Sequence, residues 1–288
     1  AYDALAGWGP PSPGRPRLAG SAARQAGAVT PSTRGADVED QDYETTYQLE
    51  GDNWWFVGMR HICLGLLAPA TGAVPEGGRR VLDVGCGTGI VLDHLSPWGV
   101  PTGLDPSPLG LAFCQARGAD RLVRAFGEHL PFATASFDTL TAFGVVEHID
   151  DDRAAVAEWY RVLRPGGQLV LLTSAYQWLW SGHDVSNHHT RRYVVGEVDG
   201  LLRGAGLVPS VVSYVNTALF PGIAAVRLVE RIARRGRPPV PNKDTAEVPP
   251  AANRVLTKLL DAEGAALRRG YRLPFGVSIV ARATKPPA

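Results

Sequence analysis

The sequence has no marked excess of either charge, few cysteines and no long hydrophobic run. Its 29 basic and 28 acidic residues give a net charge of +1, whereas proteins that bind nucleic acid usually carry a clear basic excess. The three cysteines are odd in number and lack metal-ligand spacing, which predicts no disulfide framework, no metal site and a reducing, cytoplasmic compartment. Because no apolar run reaches the length of about 20 residues that a membrane span needs, no transmembrane helix is predicted.

The composition indicates a globular chain with an unusual start. Hydrophobic residues make up 45% of the 288 positions, enough for one large domain or two small ones. Residues 1–40 are rich in Ala, Gly, Pro, Ser and Arg without apolar periodicity, and we expect them to form a flexible tail. Residues 41–288 are predicted to form a single domain. We expect N-terminal lid helices in it and a helical insertion at about 216–272.

The most informative segment is VLDVGCGTGI, at Val81–Ile90. Its apolar start predicts a buried strand that ends near Asp83, and three glycines alternate at Gly85, Gly87 and Gly89. Glycines at such positions allow a sharp turn and leave no Cβ between the main chain and a ligand. A helix is predicted to follow at Ile90–Leu95, and its first N–H groups would face a polar ligand. This segment predicts a site for a nucleotide-like cofactor.

The glycine spacing separates two classes of cofactor. A dinucleotide fingerprint, G-x-G-x-x-G, would need its third glycine at position 90, where the chain has Ile90. Asp105 ends the next predicted strand, at a place where a carboxylate can accept hydrogen bonds from both hydroxyls of a ribose. An acidic residue at this place also occurs in folds that bind NAD, so Asp105 alone does not decide between the two classes.

Strand-like and helix-like patterns alternate after this segment, which predicts an α/β fold with a doubly wound parallel sheet. The further strands are predicted at Pro101–Leu104, Arg121–Ala125, Asp138–Phe143 and Gln168–Thr173. Helices are predicted between them at Pro108–Ala116 and Arg153–Leu163, and in the insertion at Ile223–Ile232 and Val255–Leu267. Two last strands are predicted at Leu207–Val215 and Gly276–Ala281.

Several motifs resemble those of the class I S-adenosylmethionine (SAM) methyltransferases. The DVGCGTG run resembles motif I of that family, and FGEHLPF (Phe126–Phe132) resembles the segment that borders the adenine. AFGVVEHIDD (Ala142–Asp151) resembles the fourth strand and its exit, and WYRVLRPGGQLVLLT (Trp159–Thr173) resembles the following part of type 11 methyltransferases. The resemblance implies a Rossmann-like sheet of seven strands in which the last pair is antiparallel.

The flanking segments resemble one bacterial subgroup of this family. Its W-W-F segment is matched by GDNWWFVGMR (Gly51–Arg60), and its closing L-P-F-G-x-S strand by Leu273–Ser278. A further segment, W-S-x-x-D…H-x-R-R-Y, is matched between Trp180 and Tyr193. The resemblance covers roughly residues 43–285 and implies a reaction type more than a substrate.

The resemblance implies SAM as cofactor, S-adenosylhomocysteine as product, and a set of cofactor-binding residues. Phe126 departs from the family pattern, because it stands where an aspartate would accept a hydrogen bond from the adenine amine. Gly127 or Glu128 would have to compensate. The implied set is Asp83, Gly85, Cys86, Gly87, Thr88, Gly89, Asp105, Pro106, Gly127, Glu128, Phe143 and Gly144, with Arg60 for the SAM carboxylate.

Methyl transfer from a sulfonium depends mostly on alignment, and a base is needed only if the nucleophile must lose a proton. His148 directly follows the fourth predicted strand and is the first candidate for that base. An equally open interpretation is that His148 hydrogen-bonds the start of the next helix.

The segment His183–Tyr193 concentrates polar residues and has two interpretations. Its histidines and aspartate are metal-ligand types, but their spacing matches no common zinc site. We therefore expect a lid over the active site, with His189 or Asp184 as a base and His183 and Tyr193 facing the substrate. Arg191 and Arg192 would clamp a carboxylate or phosphate, or cap the next helix and pair with Glu197.

Two apolar patterns also have double interpretations. Trp54 and Trp55 either line the acceptor pocket or pack in the core, and we expect one of each. Pro221–Arg235 predicts an amphipathic helix with a basic face, which suits a membrane surface or an acidic partner. We expect instead a helix packed on the core, with its charged face in solvent.

The sequence as a whole predicts a cytoplasmic methyltransferase for a small-molecule biosynthetic intermediate, with oxygen or nitrogen as the acceptor atom. It does not predict the oligomeric state. Another SAM-dependent reaction on the same fold, such as C-methylation, alkyl transfer or cyclisation, is one alternative. A non-catalytic SAM-binding regulator is the other.

Overall fold

The structure, a computed structural model, describes residues 40–67, 78–240 and 248–287. Within these ranges the helices are α1 (Asp40–Leu49), α2 (Trp54–Leu66), α3 (Pro108–Ala116), α4 (Asp152–Val162), α5 (Gly182–Ser186), α6 (Val195–Gly204), α7 (Phe220–Arg234) and α8 (Pro250–Arg268). The strands are β1 (Arg80–Val84), β2 (Val100–Asp105), β3 (Leu122–Arg124), β4 (Phe137–Phe143), β5 (Leu163–Ser174), β6 (Val208–Val215) and β7 (Ser278–Thr284).

All seven strands form one sheet in the order β3-β2-β1-β4-β5-β7-β6. Strands β1 to β5 pair in parallel, whereas β7 runs antiparallel to both β5 and β6. The predicted Rossmann-like sheet with an antiparallel last pair is thus confirmed. The strand order reverses between β1 and β4, and ligands of such sheets bind at the carboxyl ends of the strands beside this point.

An apolar layer covers each face of the sheet. On one face, Leu140 and Leu169 pack with Trp159 of α4. On the other face, Val81 and Val170 belong to a cluster that includes residues of α2 and α8. Residues 81–84 of β1 are all buried, as expected for a parallel strand covered on both faces.

The predicted helix at Ile90–Leu95 is wrong. The chain forms a turn there, followed by two short 3₁₀ helices, Leu92–His94 and Ser96–Trp98. Pro97 lies inside this segment, and proline lacks the N–H that a continuing α-helix needs. Of the other predicted elements, the helix Pro108–Ala116 has the predicted bounds and the rest are present with shifted ends. For example, β7 begins at Ser278 rather than Gly276 and continues to Thr284.

Helices α7 and α8 lie within the stretch predicted as an insertion. Helix α8 packs along α2, and the side chain of Asn253 accepts a hydrogen bond from the Trp54 N–H at 2.7 Å and donates one to the Asp52 carbonyl at 2.8 Å. Helix α7 has no buried residue. The predicted tail lies outside the described residues except for Asp40, where α1 begins.

In the described ranges, no helix combines the length and the apolar character that crossing a bilayer requires.

The contact of α2 with α8 depends on Gly58. A Cβ at this position would lie 2.4 Å from Cδ1 and 2.7 Å from Cβ of Leu260. Because the Leu260 Cβ cannot rotate away, we expect Gly58→Ala to lower the free energy of unfolding by about 1–3 kcal/mol. Urea unfolding followed by circular dichroism measures this change.

Gly200→Ala is the matched control, since Gly200 also lies inside a helix but a Cβ there meets nothing within 4 Å. Alanine favours the helix, so this variant should gain about 0.5–1 kcal/mol. Equal effects of the two substitutions would contradict the packing argument.

Candidate functional site

The glycine loop after β1 leaves open space at its centre. Gly85 and Gly87 have φ angles of 65° and 54°, a backbone region that residues other than glycine rarely adopt. A Cβ at Gly85 would lie 2.5 Å from a methyl group of Val145, whereas a Cβ at Gly87 meets nothing within 4 Å. The main chain at Gly87 can therefore be approached closely by a ligand.

The Asp105 carboxylate holds this loop in place. It accepts hydrogen bonds from the N–H groups of Gly87 at 2.8 Å and Ser107 at 2.9 Å, and from the Tyr43 hydroxyl at 3.0 Å. Burial raises the pKa of Asp105, while these hydrogen bonds act in the opposite direction. Tyr43 of α1 thus touches the group that was predicted to bind a ribose. No local pattern signals this contact, because the two residues lie 62 positions apart.

Two buried polar atoms near this loop have no hydrogen-bond partner in the described structure. Asp83 Oδ1 accepts from the Thr141 hydroxyl at 2.6 Å, but Asp83 Oδ2 is unpaired. Arg60 donates from Nη1 to the Glu50 carbonyl at 3.1 Å, but Arg60 Nε is unpaired. Burial raises the pKa of Asp83 to about 7 and lowers that of Arg60. One acceptor and one donor thus remain for a ligand.

Glu50 lies between α1 and α2 and forms hydrogen bonds that connect this part of the chain to the glycine loop. Its carboxylate accepts hydrogen bonds from the Thr88 hydroxyl and, at 2.7 Å, from Arg117 Nη2. Arg117 also donates to the Thr88 carbonyl at 3.0 Å, and its guanidinium lies 4.5 Å from the ring centre of Tyr47. Glu50, Arg117 and Tyr47 were not predicted as site residues, because helical periodicity does not show which distant segment a helix contacts.

The remaining predicted cofactor residues lie along the same edge of the sheet. The Gly127 carbonyl already accepts a hydrogen bond from Trp159 Nε1 at 2.9 Å, and Phe126 is 38% exposed. At the exit of β4, a Cβ at Gly144 would meet nothing within 4 Å. By their positions in the chain, Cys86 and Gly89 belong to the loop after β1, Pro106 follows β2, Glu128 lies after β3 and Phe143 ends β4.

Beyond β4, two histidine rings and one carboxylate contact one another in a row. His148, in the 3₁₀ turn Val146–His148, packs edge to face with His189 at a ring distance of 4.7 Å. His189 Nδ1 lies 2.8 Å from Asp184 Oδ1. Asp184 also accepts from Arg192 Nε at 2.6 Å and Nη2 at 2.9 Å, and its side chain has no exposed surface.

The pKa values of His148 and Asp184 are both lowered, and this has opposite consequences for the charge of the two side chains at pH 7. Burial lowers the pKa of His148 to about 4, with Glu147 acting in the other direction, so the His148 ring is neutral at pH 7. Burial alone would raise the pKa of Asp184, but hydrogen bonds from His189 and Arg192 hold it well below its usual range. Asp184 is therefore a buried anion, and His148 is a free base.

The other polar residues of the predicted lid make contacts within the protein. Arg192 Nη1 donates to the Ala175 carbonyl at 3.1 Å, in addition to its bonds with Asp184. Arg191 pairs with Asp152 at 2.9 Å, and the Tyr193 hydroxyl donates to the same carboxylate at 3.0 Å. In this conformation both arginines make contacts within the protein, and Glu197 instead accepts a hydrogen bond from the Val194 N–H at 2.9 Å.

The residues predicted to face the acceptor have mixed surroundings. Trp54 and Trp55 are both half-buried and pack against the apolar layer that contains α2 and α8. The ring of His183 lies 6.1 Å from that of His189, and the Ser181 hydroxyl caps α5 by accepting a hydrogen bond from the His183 N–H. The ring of His183 thus lies near the pair formed by His148 and His189. Trp54 and Trp55 lie at the beginning of α2, away from these histidines in the sequence.

Comparisons with known proteins agree with this arrangement. A family model described as a methyltransferase domain, of type 11, matches residues 82–171. An uncharacterized methyltransferase of Mycobacterium sp. (strain JLS) is 38% identical over 122 residues, covering 42% of this chain and 48% of that protein. The ubiquinone biosynthesis O-methyltransferase of Paracidovorax citrulli is 35% identical over 113 residues, covering 35% and 46%. The chain thus spans about half the length of these relatives.

Solved structures share the fold. The methyltransferase in a complex with the Haloferax volcanii activator Trm112 superposes with a TM-score of 0.57 at 18% identity, covering 88% of this chain and 98% of that one. Phosphoethanolamine N-methyltransferase 2 of Haemonchus contortus, solved with phosphomonomethylethanolamine and S-adenosylhomocysteine, gives 0.55 at 18% identity, covering 86% and 58%.

The matched domain and the seven-stranded sheet lead to one family, and SAM is the cofactor of that family. Residues 82–171 thus match a type 11 methyltransferase domain, and the sheet has the fold of solved SAM-dependent methyltransferases.

Proposed function

We propose that the protein transfers the methyl group of SAM to an oxygen or nitrogen atom of a small-molecule biosynthetic intermediate. The observation that carries this proposal is the pair of unpaired buried atoms beside the glycine loop, Asp83 Oδ2 and Arg60 Nε. An acceptor and a donor of opposite charge suit the ammonium and carboxylate groups of an amino-acid portion, which SAM carries.

Bound SAM supplies an electrophilic methyl group on a sulfonium, which is already an excellent leaving group. The protein's own residues bind and orient it. The open main chain at Gly87 allows close approach, and Asp105 would accept from the ribose hydroxyls. A carboxylate has about four acceptor positions, and Gly87, Ser107 and Tyr43 occupy three of them. We infer that the Tyr43 hydroxyl gives way when the ribose binds.

The base for a protonated acceptor is His148 in this proposal. Its lowered pKa leaves a ring nitrogen free to take a proton at neutral pH. His189 packs on the His148 ring, and Asp184 holds His189 by a hydrogen bond of 2.8 Å. Asp184 is thus a positioning residue, because its own oxygens are buried and held by Ser181, His189 and Arg192.

The choice of oxygen or nitrogen has support from the relatives' names. One similar protein is named an O-methyltransferase of ubiquinone biosynthesis, and one structural neighbour is named an N-methyltransferase of phosphoethanolamine. Mass spectrometry of small molecules co-purified with the protein would test the proposal. Bound SAM or S-adenosylhomocysteine supports it, and a second mass points to the acceptor. Absence of S-adenosylhomocysteine production with a panel of phenols and amines would favour a regulator.

The first prediction concerns the cofactor. Asp105→Ala removes the ribose acceptor and should weaken S-adenosylhomocysteine binding by roughly 1.5–3 kcal/mol, or more than tenfold. Isothermal titration calorimetry measures this affinity. Asp120→Ala, at an exposed position before β3, is the matched control. Unchanged affinity in a folded Asp105→Ala protein would remove this residue from the site.

The second prediction concerns the base. His148→Ala should slow turnover on the order of 10²–10⁴-fold, the usual contribution of a positioned base, while S-adenosylhomocysteine affinity stays the same. His61→Ala, an exposed histidine on α2, is the control and should retain full activity. Full activity of His148→Ala would move the role to His189 or leave alignment alone as the cause of the rate.

The pH profile of the parent enzyme gives an independent check of the same base. The active form of His148 is neutral, and its pKa is lowered to about 4. The kcat/KM value should therefore rise with pH through about 4 and be level above about pH 6. A rise through the ordinary histidine pKa of about 6.5 would show that a different or more exposed group acts.

A third prediction concerns the buried ion pair. Asp184→Ala leaves the Arg192 guanidinium buried without its partner, so we expect the free energy of unfolding to fall by about 3–5 kcal/mol. The exposed pair of Asp199 with Arg203 at 2.7 Å is the matched control, and Asp199→Ala should cost at most about 0.5 kcal/mol. Equal losses in denaturant unfolding would show that the Asp184 pair has no special role.

A further inference from the structure

Helix α7 turns its apolar side away from the protein. Val226, Leu228, Val229 and Ile232 are 55%, 55%, 65% and 67% exposed. Val229 lies midway between Val226 and Ile232 at a spacing of three residues, and Leu228 precedes Ile232 by four, so these side chains share one face. The partly buried positions of α7, such as Arg227, lie on the opposite side. This orientation is the reverse of a surface helix packed on its own core. It corrects our expectation of a helix packed on the core, because α7 has no buried residue.

The same segment carries a concentrated positive charge. Residues 220–240 contain five arginines and one acidic residue, Glu230, which gives a local charge of +4 in a chain of net charge +1. Glu230 pairs with Arg227 at 3.0 Å. Three of the other arginines, together with two tryptophans, line a cavity of about 580 Å³ beside the 3₁₀ turn Gln177–Leu179. They are Arg231, Arg234 and Arg237, with Trp178 and Trp180.

Exposed aromatic residues flank the beginning of the helix. Trp178 is 42% exposed and Phe275 is 38% exposed. Both contact Phe220, the first residue of α7, at ring distances of 6.0 and 5.3 Å. Aromatic rings beside arginines and an apolar helix face are the combination found where proteins meet the boundary of lipid headgroups and acyl chains.

We propose that α7 binds the surface of a membrane containing anionic phospholipid. The four exposed aliphatic side chains enter the boundary between headgroups and acyl chains, and the arginines attract the lipid phosphates. A second copy of the chain fits this face less well. A two-fold contact through α7 would bring two segments of charge +4 together, and like charges oppose such an interface.

The test uses the whole protein and vesicles of two compositions. In a flotation assay at 0.1 M salt, we expect binding to vesicles of phosphatidylcholine with 30% phosphatidylglycerol, a fraction of about one third chosen for its surface potential. Pure phosphatidylcholine vesicles should bind much less. The bound fraction should fall at 0.5 M salt, because a shorter Debye length screens the attraction.

Two double variants separate the apolar and the charged contributions. Val229→Asp with Ile232→Asp should reduce the vesicle partition coefficient by at least about tenfold, because charge replaces inserted apolar surface. Arg231→Gln with Arg235→Gln should reduce it by about fivefold per arginine. The matched control for the apolar variant is Val208→Asp, at the first residue of β6, which is 49% exposed. The control for the charged variant is Arg153→Gln, at an exposed position on α4. Both controls should bind vesicles like the parent protein.

Thermal unfolding and S-adenosylhomocysteine affinity should be the same in all variants, because the substituted side chains lie at the surface. If the aspartate variant unfolds, the arginine variant still tests the proposal. Equal binding to both vesicle types overturns the proposal, as do α7 variants that bind like the parent. A dimer in analytical ultracentrifugation that the aspartate variant dissociates would also overturn it and assign the face to a second copy.

Discussion

The burial of carboxylates at one edge of the sheet is the constraint on which the rest of this site depends. The described structure buries six acidic side chains, of which Asp83 and Asp105 lie at the ends of β1 and β2. They are Glu50, Asp83, Asp105, Glu147, Asp152 and Asp184. A buried carboxylate needs hydrogen bonds or a cation, and each of these finds its partners on a different segment. Because these hydrogen bonds and ion pairs join residues of different segments, they hold the loops in place.

Asp83 is the carboxylate for which that demand is only half met. Glu147 receives hydrogen bonds from Thr173 and Ser174, and Asp184 receives them from three residues. Asp83 has a partner for one oxygen only, and its pKa is raised to about 7. A cationic ligand group near Oδ2 would bring this pKa down and favour the ionised form. Binding of such a group and ionisation of Asp83 are therefore coupled.

The sequence predicted the features that depend on neighbours along the chain. Buried strands, the glycine turn and the position of Asp105 at the end of β2 result from local apolar patterns and spacing. The helix predicted at Ile90–Leu95 was wrong because a short apolar pattern does not distinguish an α-helix from the turn and 3₁₀ helices that the chain forms there. Tyr43 and Glu50 were missed for a different reason. Their partners, Asp105 and Thr88, are distant in sequence, and α1 carries no local mark of the segments it contacts.

Helix α7 marks another limit of sequence patterns. Amphipathic spacing showed that apolar and basic residues occupy different faces, and this holds in the structure. It did not show which face meets the protein, since that depends on the surface α7 rests on. Here the surface presents the 3₁₀ turn with Trp178 and Trp180. Helix α7 turns Phe220 and arginines toward it, while Val226, Leu228, Val229 and Ile232 stay exposed. The direction of an amphipathic helix is a tertiary property.

The extent of the family match explains why the reaction class is better determined than the methyl acceptor. The family match ends at residue 171, inside β5. The donor side, built from the glycine loop, Asp83 and Asp105, lies within that match. His183, His189 and the cavity beside α7 all lie after it. The proposed base His148 lies within the match, whereas His189, which packs on its ring, belongs to the part of the chain that the family model does not cover. The chemistry of that part must be taken from the contacts themselves, above all from His189 and its hydrogen bond with the buried Asp184.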